Sequence, residues 1–402
     1  MSSPVYIFNP EHDLALANSD GNFMAPSSAR KLAHDLSVIP LWYSDDNSTI
    51  ISSVNNVWLD EIKSLFPQLR NKFIVSKPDF SEINSIHTWG WDKAVKKQLL
   101  NSGAPEMLVP NEPQLENIKK LSHRRKSIEA LYYINENLSD NNLLDQLPIE
   151  INNINDAEKY AVTKRPAVFK APWSGSGKGL SWVRGRLSDS HRGWIKNIIE
   201  KQGSVIAEHI YNVEQNFAME FLCENGKVQF AGYSLFEAEK GIYRSNILMP
   251  DDVISDFLTA RYLNPDLLQN TKTLLTKFIE NEIAPFYSGA LGIDMFVYEE
   301  NGTMKLHPCV EINLRMTMGY VARIFYDNFV NPNTRGRFYI DHSPVSGELW
   351  SDHNSRTSDM PLKIMNGKIQ SGYLSLSIVQ PHSHYRVRVE LGISDWGLVI
   401  GD

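Results

Sequence analysis

Short runs of β-branched and aromatic residues alternate with stretches whose apolar positions recur every three or four residues along most of the 402-residue chain. That alternation predicts an α/β protein in which buried strands are joined by amphipathic helices. Residues 5–8 (VYIF), 38–42 (VIPLW) and 73–75 (FIV) read as strands with helical patterns between them. Residues 86–92 (IHTWGWD) close this first unit and lead into a helix over 93–100, for which Asp92 is the expected N-cap. Gly103-Ala104-Pro105 and Val109-Pro110-Asn111-Glu112-Pro113 then predict a boundary near Leu115. Residues 116–133 form one helical pattern, with Ile118, Leu121, Ile128 and Leu131 on one side and Arg124, Arg125 and Lys126 between them. Further on, strands are expected at 205–207 and 229–235 and a helix at 270–284. A hairpin is expected from 292–298 and 304–312, turning at Glu299-Glu300-Asn301-Gly302. Past Arg335 come a hairpin signature over 363–369 and alternating strands at 372–379 and 385–391. The pattern divides the chain into a small parallel α/β unit (1–114), a central unit (115–335) and a β-rich extension (336–402).

Composition narrows the class. A formal charge of −7 argues against nucleic acid as the main partner, because a phosphate backbone is held by clustered Lys and Arg. Cys223 and Cys309 are the two cysteines, without zinc spacing, which points to a reducing compartment. The start MSSPVYIFNPEHD has no charged n-region, and no apolar run approaches bilayer length. The expectation is a cytoplasmic protein without a membrane partner.

Candidate chemistry centres on residues 168–179, VFKAPWSGSGKG. Val168 and Phe169 end a buried strand, and Lys170 places an ammonium at its exit. Gly175, Gly177 and Gly179 free the backbone to turn several N–H groups toward one anion, with Ser174, Ser176 and Lys178 as further donors. This is not a Walker loop, since Gly179 stands where the metal-binding hydroxyl belongs, and Leu180 occupies the third-glycine position of a dinucleotide fingerprint. In the later hairpin Asp294 lies on the first strand and Glu311 and Asn313 near the end of the second, where alternation sends the last two to one face. Oxygen donors on adjacent strands suit Mg²⁺ whose shell is completed by phosphates. Arg315 continues that face if the strand persists.

Taken together, Lys170, the loop 174–179, the segment 205–217 (VIAEHIYNVEQNF) and the set Asp294, Glu311, Asn313 and Arg315 resemble the ATP-grasp superfamily of carboxylate–amine ligases. The likeness spans roughly residues 115–335 and implies an α+β ATP-grasp fold preceded by a small parallel α/β domain. It implies ATP as cosubstrate, with Lys170, Ser176 and Gly177 on its phosphates. Glu208, His209 and Ile210 would form a hinge beneath the adenine, and Glu214 would hold the ribose. Family members carry an early phosphate-binding cation; the corresponding text here is Ser122-His123-Arg124, which makes Arg124 the candidate and Arg125 its rival. Mg²⁺, with Mn²⁺ as the alternative ion, would sit on Asp294, Glu311 and Asn313. Lys178 and Arg315 would act on the transferred phosphoryl group, and Arg244 would bind a substrate carboxylate as a bidentate fork.

The chemistry expected from these groups is activation of a carboxylate as an acyl phosphate, followed by attack of an amine or similar nucleophile. A small-molecule kinase on the same fold and a non-catalytic nucleotide-binding protein are the alternatives. The partners implied are a small carboxylate and an amine, with a monomer and a homodimer both open. Within the N-terminal loop, Glu11, His12 and Asp13 follow the first strand, where ligands collect in parallel sheets, although Asp13 also reads as a helix cap. Trp89 and Trp91 read as packing residues rather than pocket walls.

Overall fold

The structure, a computed structural model, describes residues 3–54, 56–175, 179–239 and 242–392. The N-terminal strands β1 (Ser3–Ile7), β2 (Thr49–Ile51), β3 (Phe73–Val75) and β4 (Ile83–Thr88) form a parallel sheet in the order β3-β2-β1-β4. Helix α1 (His12–Asn18) leaves the end of β1, and α2 (Lys93–Asn101) follows β4. Asp92 caps α2 as expected, its Oδ1 accepting from the N–H groups of Ala94 (2.8 Å) and Val95 (2.9 Å). The strand expected at 38–42 is instead a 3₁₀ turn, Ile39–Trp42. Pro40 offers no N–H to a ladder but suits the first turn of a helix. Its neighbours are buried all round, and Trp42 meets Phe66, Phe325 and Phe329 edge to face at 5.2 to 5.8 Å. The run is a core plug, and the second strand comes from residues 49–51.

Residues 116–133 are not one helix. A reciprocal Asn111–Gln114 capping box starts α3 (Glu112–Leu121), and α4 (Arg125–Asn137) begins afresh after Ser122-His123-Arg124. The Ser122 hydroxyl donates to Ile118 O at 2.8 Å, the local alternative by which serine competes with helix continuation. The interruption turns Arg124 out of both helices.

Four short strands, β5 (Ile149–Ile151), β6 (Ala167–Lys170), β7 (Leu180–Val183) and β8 (Val205–His209), pair antiparallel in the order β5-β8-β6-β7. Phe169, Val183, Val205 and Ala207 pack in a core of their own with Ile195 of the helix Asp189–Gln202. The nine-stranded sheet uses β9 (Asn212–Glu224), β10 (Lys227–Glu239), β11 (Ile242–Leu248), β12 (Gly289–Glu300), β13 (Thr303–Asn313), β14 (Gly336–His342), β15 (Lys363–Met365), β16 (Lys368–Ser375) and β17 (Tyr385–Leu391). Its order is β13-β12-β9-β10-β11-β14-β17-β16-β15.

The β12–β13 hairpin turns at Asn301 (φ 53°) and Gly302 (φ 79°), the left-handed pair that a two-residue turn requires. Its register sets Asp294 opposite Glu311 and Gly292 opposite Asn313. Helix α5 (Pro265–Glu282) packs Leu275, Phe278 and Ile279 in one core with Phe217, Met219 and Phe221 of β9. Helix α6 (Met318–Phe329) instead shares a core with Trp42 and Phe66 of the N-terminal region and with Phe338, Val387 and Val389. Residues 336–391 continue the large sheet directly, since β14 pairs with β11 and carries β17, β16 and β15 in turn. No helix among the described residues is long and apolar enough to cross a membrane.

Candidate active site

The first turn of α4 lies along the outer edge of β13. Ile312 donates its edge N–H to the Ser127 hydroxyl at 3.1 Å, which satisfies a buried strand donor and brings Arg124 beside Glu311. Arg124 Nη2 donates to Glu311 Oε2 at 2.7 Å, and Nη1 donates to Ser174 Oγ at 2.7 Å and to Ala171 O. One buried guanidinium therefore joins the entry of the glycine-rich loop to the acidic hairpin. The end of β6, which carries Lys170, is thereby tied through Ala171 and Ser174 to the β13 carboxylate Glu311.

Along the hairpin, Asp294 Oδ2 accepts from Asn313 Nδ2 at 3.1 Å, and Asn313 Oδ1 accepts from Arg315 Nη2 at 3.1 Å. Arg315 Nε donates to both Asp13 oxygens at 3.1 and 3.2 Å, and its Nη2 lies 2.9 Å from Asp13 Oδ2. Asp13 is thus not a helix cap. Glu11 takes the cap position of α1 without a side-chain bond, because the Asp13 carboxylate is committed to Arg315 302 residues away. Burial would raise the Asp13 carboxyl, but Arg315, together with His12 and Arg124, holds the group below the usual range. A methyl group at Gly175 would collide with that carboxylate, so only glycine lets the loop approach the N-terminal segment this closely.

Burial and the neighbouring Glu311 push the Asp294 carboxyl up to about 7. Two carboxylates side by side in low dielectric resist joint ionisation, which is the electrostatic condition that a hard cation relieves. Two carboxylates and an amide oxygen fit Mg²⁺ by donor type. Asn313 turns its oxygen toward Arg315, so it would meet such a cation only after rotating its amide. No group of three His, Cys, Asp or Glu forms a metal cluster among the described residues.

At the end of β6, Lys170 is 7% exposed and forms an ion pair with Glu208 of β8. His307 Nε2 lies 3.0 Å from Glu208 Oε1, off the line of a well-formed hydrogen bond, and His307 Nδ1 has no partner. Burial would raise the Glu208 carboxyl, yet Lys170 and His307 bring it down to about 2. The Glu208 side chain therefore holds the lysine rather than facing solvent. Ile210 already donates its N–H to Pro166 O at 3.0 Å. His209 is half-buried with its ring 5.0 Å from that of Tyr211. Glu214 is exposed and accepts from Asn212 Nδ2 at 3.2 Å. Arg244 is exposed on β11, three strands across the sheet from Asp294. Ser176, Gly177 and Lys178 lie outside the described residues. Arg125, the rival of Arg124, turns away to Glu150.

Glu220 was not foreseen. It faces the same side of the sheet as Gly292 and accepts from the Thr317 hydroxyl at 2.9 Å, and burial pushes its carboxyl up to about 8. The signal was a lone acid inside the apolar run Phe217–Cys223, where a charge is otherwise expensive. His307, inside β13, carried a similar signal.

No family model and no curated protein matches the sequence. Among solved structures, the biotin carboxylase of Campylobacter jejuni, in complex with β,γ-ATP, superposes with a TM-score of 0.51 at 11% identity, over 98% of this chain and 88% of that one. The chain has the ATP-grasp fold. The N5-carboxyaminoimidazole synthetase of Staphylococcus aureus with ADP aligns over 97% of this chain and 93% of its own, with 14% identity and a TM-score of 0.49. The biotin carboxylase domain dimer of Hydrogenobacter thermophilus 2-oxoglutarate carboxylase, with MgADP and bicarbonate, aligns over 98% and 86%, with 12% identity and a TM-score of 0.49.

Proposed function

We propose that the protein is an ATP- and Mg²⁺-dependent ligase that activates a carboxylate as an acyl phosphate and joins it to an amine or similar nucleophile. The observation that carries the reading is Arg124, whose two terminal nitrogens bind the glycine-loop entry and the hairpin carboxylate Glu311 at once. A cation bridging these elements lies where a triphosphate would have to pass. The Campylobacter biotin carboxylase of similar fold was solved with β,γ-ATP, which supports a nucleotide as the ligand.

In this mechanism Lys170, fixed by Glu208, and Arg124 neutralise the phosphate chain, while Arg315, fixed by Asp13, faces the terminal phosphoryl group. Asp294, Glu311 and Asn313 would hold Mg²⁺, which supplies charge neutralisation on the phosphates. A substrate carboxylate oxygen attacks the γ-phosphorus and ADP leaves. The amine then attacks the acyl carbon, loses a proton, and inorganic phosphate departs. Water must be kept from the acyl phosphate, and Ser174 and Gly175, held beside Arg124 and Asp13, are the described residues placed to do so. Positioning accounts for most of the rate, and no protein nucleophile is required.

The test is hydroxylamine trapping with ATP, Mg²⁺ and a panel of carboxylic acids. A hydroxamate formed with ADP supports the ligase. A stable phosphate ester from an alcohol identifies a kinase instead, and failure to bind ATP would leave a non-catalytic protein.

A further inference from the structure

A cavity of about 490 Å³ opens between residues 21–25 and helix α2, outside the cleft described above. Its volume is within the range of small-molecule sites, about 300–1,000 Å³. It lies beyond the carboxyl ends of β1 and β4 in the parallel sheet, and Asn9, Glu11 and Asp92 line it. Asp92 is fully used there. Its Oδ1 accepts from Ala94 and Val95 N–H, and its Oδ2 accepts from Asn9 Nδ2 at 3.2 Å and meets His12 Nδ1 at 3.3 Å.

Glu11 is different, because its Oε2 is buried and has no hydrogen-bond partner. A carboxylate oxygen shielded from water and without a donor is unfavourable, so a donor is wanted at this point. Lys97, the cation lining the cavity, does not supply it, since its ammonium donates to Asn22. Asn22, Gln98 and Asn101 surround the remaining space with amide groups. Two residues beyond Glu11, Asp13 holds Arg315, so this cavity and the proposed catalytic cleft share one short segment of chain.

We propose that this cavity binds a small primary amine bearing amide or hydroxyl groups, with its ammonium on Glu11. As the site of the amine substrate it rests on the ligase reading; as an amine site it stands on the geometry alone.

The intact chain is titrated calorimetrically with ethanolamine, glycinamide and putrescine, and with their neutral counterparts ethylene glycol, acetamide and 1,4-butanediol, with and without Mg²⁺ and a non-hydrolysable ATP analogue. At least one amine is expected to bind saturably below about 10 mM, and its neutral counterpart about tenfold more weakly or worse. Glu11→Gln is expected to weaken the amine about tenfold. Gly21→Phe fills the space and is expected to abolish binding. A Cβ at Gly21 would meet Lys93 O at 3.5 Å and Lys97 Cδ at 3.6 Å, which are ordinary contacts, so the backbone there accepts a side chain. Both variants should keep the nucleotide affinity of the native chain.

No binding by any amine in either condition overturns the proposal, as does equal binding of the neutral compounds or undiminished binding by both variants. Nucleotide binding is read separately. Amine binding in a chain that does not bind ATP would uphold the amine site and sink the ligase reading.

Discussion

Replacing Lys170 with methionine tests the electrostatics of the cleft without any substrate. In the native chain the Glu208 carboxyl is held at about 2 against an ordinary value of 4.5, a shift corresponding to about 3 kcal/mol of stability. Because the folded value lies below the unfolded one, this contribution is complete above about pH 4.5 and fades as the pH falls through about 2. Lys170→Met leaves Glu208 buried with only His307 beside it. Burial then dominates, and the folded carboxyl rises above its unfolded value. The variant should lose about 3–5 kcal/mol at pH 7, as buried pairs do when one partner is removed. The deficit should shrink as the pH is lowered toward 4.5, because Glu208 takes up a proton. Glu208→Gln in the same chain should recover at least about half of the loss, since the double variant leaves no buried charge. Urea unfolding curves at pH 7 and pH 5 for the native chain, both single variants and the double variant measure all of this. A loss below about 1 kcal/mol for Lys170→Met, or a double variant no more stable than the weaker single one, would refute the reasoning.

Three further outcomes are expected. Glu311→Gln should abolish turnover while circular dichroism still shows the native fold, with a lowered melting temperature because the buried Arg124 loses its carboxylate; retained activity would show that the carboxylate is not a metal ligand. Gly175→Val should drive Asp13 off Arg315 and weaken nucleotide binding by about tenfold, and unchanged binding in a titration would place the loop elsewhere. Gly302→Ala should cost about 1 kcal/mol in unfolding assays without affecting ATP affinity, since its φ of 79° serves only the hairpin turn.

Local chemistry made the β12–β13 hairpin readable in advance: Asn301-Gly302 can serve the required turn, and the strands on either side alternate in the ordinary way. Asp92 could be placed for the same reason, since its bonds run to residues two and three positions on. Where tertiary contacts decide, the chain text misleads. Residues 38–42 have strand composition, yet Pro40 and an all-round hydrophobic environment make them a turn. The continuous helical period over 116–133 hides the break at Ser122-His123-Arg124 that aims Arg124 at Glu311. Asp13 looks like a cap until Arg315 comes within reach, and nothing near either residue in sequence announces the pair. The resemblance makes Glu208 a hinge residue beneath the adenine, whereas its pairing with Lys170 follows from the antiparallel adjacency of β6 and β8. The residues bearing the chemistry were recognisable by type and order; their mutual engagement was not.

The central claim is that β6 with its glycine-rich loop and the β12–β13 hairpin enclose a single magnesium nucleotide. Titration of the intact chain with ATP, with Mg²⁺ and then with Mg²⁺ chelated, tests it most directly. One saturable site whose affinity falls at least about tenfold on chelation is the predicted result. Absence of saturable binding, or binding indifferent to Mg²⁺, would contradict it.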